Sequence, residues 1–238
     1  VPQFCRLQVM DQQVKDMSGN PVVLHGATLP ALYEMEATES TPQQRLRALA
    51  DAGARVVRLT VDERDITPTF VPAKLSPFID QANALGMLVI LSYHNNPALS
   101  VNAQADNAED WLRLAIQYLR NAPGVWFEPL DAAMNSPKYQ GVAQRMVDVA
   151  NGYRADNVFV IRDPIWLKGN SAGLNGRAVA HSVAAPTEWP STAAPFIVVS
   201  SDIQTLQAAA TTGSWAIADS DAVSPARAEL WRASVPCR

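Results

Sequence analysis

The residues able to do chemistry in this chain stand where apolar runs stop. Val125-Trp126-Phe127 gives way to Glu128-Pro129-Leu130-Asp131, Leu91-Ser92-Tyr93 to His94, and Val57 to Arg58. Asp202, Asp219, Asp221 and Glu188 follow other such runs. Two carboxyl groups facing one cleft can divide the work of general acid and general base. Barrel scaffolds accept many carboxylate layouts, so Glu128, Asp131 and the region of Asp219 are candidates for such a pair. The three histidines, His25, His94 and His181, show neither His-x-His nor His-x-x-x-His spacing. No metal is expected from them. His25 and His181 read as mid-strand, satisfied residues, whereas His94 closes its run and divides evenly between facing a ligand and holding structure. Ser200 and Ser201 lack a Gly-x-Ser-x-Gly frame and read as the close of a strand before a helix capped near Asp202. No Gly-x-Gly-x-x-Gly or phosphate loop occurs, so no cofactor is expected.

These residues need elements to position them, and the chain has a regular rhythm. Short apolar runs at Val22–Gly26, Arg55–Leu59, Met87–Ser92, Gly124–Leu130, Asn157–Ile161, Arg177–Val183, Phe196–Ser200 and Trp215–Ala218 read as strands. Helical patterns lie between many of them: Thr41 to Gly53, Pro72 to Leu85, Asn107 to Asn121, Lys138 to Arg154, Asp202 to Ala210 and Pro225 to Trp231. Eight strands alternating with helices in one domain, 1–238, predict a closed (β/α)8 TIM barrel. The stretch 162–194 is thin in helix signal, so the barrel should be trimmed there. Leu7–Asp11 and Gln13–Asp16 flank a turn and predict an N-terminal hairpin.

Composition narrows the function. The 238 residues are 48% hydrophobic and 18% charged, enough for one sizeable core. A net charge of −4, a pI near 5.4 and no Lys/Arg stripe argue against nucleic acid. No apolar run approaches the roughly 20 residues of a membrane-spanning segment. The chain begins at Val1, which fits a mature or trimmed product. Its two cysteines, Cys5 and Cys237, lie near its two ends. A barrel brings its ends together, so a disulfide is expected there, worth roughly 3–5 kcal/mol. The alternative is two independent buried thiols. A disulfide would place the protein in an oxidising compartment: secreted, periplasmic or cell-surface.

The strand-end motifs resemble those of cellulase-like glycoside hydrolases of family 5, clan A. Asp16, Gly19 and Pro21 match their entry turn. Gly26-Ala27-Thr28 stands where they carry Gly-x-Asn after the first strand. Arg58 matches the arginine ending their second strand, which supports the nucleophile, and His94 the histidine ending their third, which contacts sugar. Their fourth strand ends in Phe-Glu-x-x-Asn-Glu-Pro. Here Phe127 and Glu128 match, but Asp131, Ala132 and Ala133 replace Asn, Glu and Pro. The lost Glu is the family's general acid/base. The His-x-Tyr of the sixth strand is replaced around Ala184-Ala185-Pro186, and Ser201 stands at the nucleophile of the seventh.

Retaining hydrolysis needs two carboxyl groups about 5.5 Å apart. Alanine transfers no proton, and a serine hydroxyl without an adjacent base is a poor nucleophile. The resemblance therefore implies a barrel without its catalytic pair. It would bind polysaccharide, or serve as a structural or partner-recognition part of a secreted or envelope assembly. A hydrolase with relocated carboxylates and a protein-interaction module with a filled cleft are the alternatives. Arg58, His94 and Asp131 are the expected ligand contacts, and Trp215 stands for the tryptophan that floors the sugar site. Trp111, Trp126 and Trp231 read as core. Trp166 and Trp189 lie in loops on the catalytic face, where they either stack on sugar rings or cover the short crossovers.

Overall fold

The computed structural model describes residues 4–10, 13–65, 67–131, 138–162, 179–184 and 196–236. Two short strands, β1 (Leu7–Met10) and β2 (Gln13–Asp16), pair antiparallel with Leu7 opposite Asp16. Asp16 closes the next turn by accepting from the backbone N–H groups of Ser18 and Asn20, both at 2.9 Å. This is the side-chain mimic of a turn that Asp favours.

Eight parallel strands follow: β3 (His25–Leu29), β4 (Val56–Val61), β5 (Leu88–Tyr93), β6 (Val125–Glu128), β7 (Phe159–Arg162), β8 (Val179–Ala184), β9 (Phe196–Ser200) and β10 (Trp215–Ala218). They form a closed barrel, with β10 paired to both β9 and β3. The described helices are α1 (Leu32–Glu36), α2 (Pro42–Asp51), α3 (Ser76–Ala84), α4 (Val101–Leu119), α5 (Tyr139–Gly152), α6 (Ile203–Thr211) and α7 (Pro225–Arg232). The architecture is thus the expected (β/α)8 barrel with its N-terminal hairpin. The crossovers 163–178 and 185–195 lie outside the described residues.

Strand alternation builds two cores. On β5, Val89, Leu91 and Tyr93 face outward and join the helices in the larger one. Leu88 and Ile90 face the barrel axis, with Val56, Trp126, Val160, Ile197, Trp215 and Ile217. Leu7, Val14, Val22 and Leu24 close this inner core from below. The hairpin is therefore the floor of the barrel.

Local chemistry sets the boundaries. Thr41 and Gln44 form a reciprocal capping box at the start of α2. The helix is followed by Gly53 at φ +102°, where a Cβ would stand 2.7 Å from Arg232 Cγ. Ser100 caps α4 through Ala103 N at 3.2 Å, so that helix begins at Val101 rather than Asn107. The helix expected over Pro72–Leu85 opens as a π turn, Val71–Leu75, before α3.

The first barrel strand also differs from expectation, starting at His25 instead of Val22. Val22 and Val23 are taken by the floor: Val22 N bonds Val14 O, and Val23 exchanges two backbone bonds with Val235. Gly26-Ala27-Thr28 consequently lies within β3 and not after it. Gly26 is required there, because a Cβ would sit 1.8 Å from Val56 O.

Candidate functional site

The inward positions turn from apolar to polar as the strands rise. Val56 is followed by Arg58, Ile90 by Ser92, Trp126 by Glu128, Val160 by Arg162 and Ala180 by Ser182. Thr28 holds the same level on β3, opposite Arg58 in register. Six neighbouring strands, β3 to β8, thus build one polar layer at the C-terminal mouth, where barrel active sites lie.

Glu128 is the centre of that layer and is fully buried. Arg58 Nε donates to its Oε2 at 2.6 Å. Ser182 Oγ donates to its Oε1. With both oxygens engaged and no exposure, Glu128 is a poor proton shuttle. The pair also gives Arg58 a full counter-charge, which a buried guanidinium requires.

Arg162 is held differently. It is the neighbour of Ser182 in register, and Tyr139 donates its hydroxyl hydrogen to the Arg162 carbonyl. Its guanidinium makes no hydrogen bond among the described residues. Burial pushes its pKa down from the ordinary value; Glu128 opposes that shift and Arg58 adds to it. Thr28 Oγ1 and Ser92 Oγ are buried in the same layer without hydrogen-bond partners among the described residues.

At the rim, His94 Nδ1 and Asp131 Oδ2 are 2.6 Å apart. Asp131 Oδ1 also accepts from Asn95 N at 3.3 Å, and Asp131 N donates to Tyr93 O at 3.0 Å. A carboxylate can only accept, so Nδ1 of the exposed ring is the donor. Asn95 donates to Gln104 Oε1 at 2.7 Å, and Gln104 donates to Leu99 O at 2.8 Å, which pins the loop beneath.

Arg58, His94 and Asp131 therefore converge on the mouth as expected. Ser201 and Asp219 are exposed beyond the ends of β9 and β10. Asp202 caps α6 through Thr205, whose bonds hold its carboxyl below the usual range. Asp221 is paired with Arg45 at 2.6 Å. Both have structural work.

Trp215 is a correction. It opens β10 at the N-terminal end, is 3% exposed, stacks on Trp126 and donates its indole N–H to Val22 O at 3.1 Å. It plugs the floor and cannot face a ligand at the mouth. Ala132, Trp166, Trp189, Glu188 and Cys237 lie outside the described residues. Among the described residues no group of three or more His, Cys, Asp or Glu is placed to hold a metal. No described helix is long and apolar enough to cross a membrane.

Sequence reasoning singled out neither Arg162, Ser182 nor the two unpartnered hydroxyls. The signal was present: counting by two from Val158 and Val160 reaches Arg162, and from Ala180 reaches Ser182. Closing the fifth strand at Ile161, one residue early, hid Arg162.

Solved structures share this architecture. The catalytic domain of Thermobifida fusca endoglucanase Cel5A is 19% identical, with a TM-score of 0.72 over 89% of this chain and 84% of that one. The β-glucanase SdGluc5_26A of Saccharophagus degradans is 13% identical, with a TM-score of 0.73 over 94% and 87%. A β-mannanase from Streptomyces thermolilacinus, solved with mannohexaose, is 15% identical, with a TM-score of 0.70 over 93% and 85%. No curated relative matches the chain. At these identities the likeness concerns the fold. The sequence profile described as Cellulase (glycosyl hydrolase family 5) matches residues 15–183, covering the hairpin's second strand through β8 with Arg58, His94, Glu128 and Asp131, and on that match the chain belongs to glycoside hydrolase family 5.

Proposed function

We propose that this family 5 barrel does not cleave sugars and instead binds polysaccharide at its mouth, as part of a secreted or envelope assembly. The observation that carries the reading is the ion pair of Arg58 with Glu128. The arginine that supports the nucleophile in active relatives is satisfied here by a fully buried carboxylate. Ala132 and Ser201 stand at the acid/base and nucleophile positions. Asp131 is bound to His94 and Asn95. What remains is a layer rich in hydrogen-bond donors, suited to holding a glycan. Trp166 and Trp189 are proposed to add a stacking face, so Trp189→Ala should weaken binding severalfold with little change in melting temperature.

The test pairs a turnover assay with a binding assay on cello- and manno-oligosaccharides. We expect no hydrolysis above blank, together with saturable binding. Turnover abolished by Asp131→Ala or Asp219→Ala would establish the relocated-carboxylate reading, which the His94–Asp131 pair favours. Absence of both turnover and millimolar binding would favour a protein partner.

The Cys5–Cys237 staple belongs to the same proposal, since an envelope or extracellular setting permits it. Intact mass under non-reducing conditions should fall two hydrogens short of the reduced chain. Two free thiols in oxidised protein would remove the support for that location.

A further inference from the structure

The two inward arginines of the mouth share one buried carboxylate. Glu128 is spent on Arg58 at 2.6 Å and on Ser182. Asp131, the next carboxylate, is spent on His94 and Asn95 at the rim. Arg162 has no hydrogen-bonded counter-ion among the described residues, although it stands in the inward phase of β7 two residues after buried Val160. A guanidinium largely withdrawn from water without a partner is costly. A ligand carboxylate would complete it. Independently, Ser92, with no exposure, and Thr28 aim unpartnered hydroxyls into the same layer. Buried polar atoms are normally paired, so the layer around Arg162 is under-satisfied in polar partners as well as in negative charge.

We propose that Arg162 receives the carboxylate of a uronic acid residue, so that the glycan bound at this mouth is an acidic polysaccharide. This rests on the glycan-binding reading and narrows it. A guanidinium forms two parallel charge-assisted hydrogen bonds to a carboxylate, which a neutral hydroxymethyl group cannot match. Arg58 stays with Glu128 throughout and sets the back wall.

Cellohexaose and its C6-oxidised counterpart, the β-1,4-glucuronate hexamer, differ only in carrying carboxylates in place of hydroxymethyl groups. Calorimetry with both, on the full chain at constant ionic strength, isolates the charge. The acidic hexamer should bind roughly tenfold tighter or more, as expected for hydrogen bonds to a charged group. Arg162→Gln should erase that preference, so that the two hexamers bind with affinities within about threefold of each other. Arg162→Lys, which keeps the charge without the fork, should retain part of it, and decides the matter if Arg162→Gln does not fold. Equal affinity for the two hexamers, or a preference untouched by Arg162→Gln, overturns the inference and leaves glycan binding standing. Binding of neither hexamer overturns both.

Discussion

The floor and the mouth of this barrel are built by the same strands and held by different forces. At the floor, Trp126 and Trp215 stack at 4.7 Å with their planes 19° apart, over Leu7, Val14, Val22 and Leu24. The Trp215 indole N–H is satisfied by Val22 O. Two residues higher on β6 stands Glu128, about 7 Å away along the strand. There the layer is held by an ion pair and a hydroxyl, and it leaves Arg162, Thr28 and Ser92 wanting partners. The floor is closed by area and shape, which have no direction and tolerate no gap. The mouth is held by pairing, which is directional and can be exchanged. Stability concentrated below lets the polar residues of the upper layer vary without losing the barrel.

Removing half of the floor stack should have the largest effect. Trp126→Ala opens a cavity under the polar layer and should cost about 3–5 kcal/mol. In a chain of this size each kcal/mol lowers Tm by roughly 2–4 °C. Denaturant unfolding that loses under about 1 kcal/mol would mean that the floor is not the stabilising region.

The mouth should respond to the loss of one partner and forgive the loss of both. Arg58→Met leaves Glu128 buried without its counter-charge and should cost about 3 kcal/mol. The double variant Arg58→Met/Glu128→Leu should recover most of that loss, because an apolar pair suits a buried site at least as well. A double variant as unstable as the single one would show that the mouth, like the floor, depends on shape.

The same division explains what was legible in the sequence. The barrel followed from periodicity, since each strand and helix repeats its own signal. The hairpin was read from its turn residues. Arg58, His94 and Asp131 followed from motif position, and the structure brings all three to the mouth. Trp215 misled, because an aromatic residue near the last strand has the same letter whether it opens the strand at the floor or closes it at the mouth. Only the register against Ile197 and His25's strand fixes its level. The first strand was placed three residues early because Val22 and Val23 are as apolar as a strand requires; their bonds to Val14 and Val235 are long-range. Arg162 fell outside the reading through a boundary set one residue short, and a one-residue error at a strand end moves a side chain from wall to axis.

A smaller effect separates the two regions by pH. His25 opens β3 near the floor, and burial lowers its pKa from 6.5 to about 4. Its Nδ1 accepts from Ala216 N at 3.1 Å, a bond that only the neutral ring makes. The unfolded chain therefore takes up this proton first as pH falls. The contribution is fully present above about pH 6.5, declines through the window from 6.5 to 4, and stops changing below that. Between pH 7.5 and pH 5 the linkage amounts to about 2 kcal/mol. Unfolding of the wild type and of His25→Asn, whose amide oxygen can still accept from Ala216, should be compared at those two values. The wild type should lose about 2 kcal/mol more than the variant over the interval. Equal losses would mean that His25 binds its proton as readily in the folded chain, and that the barrel is more open at this end than its packing indicates.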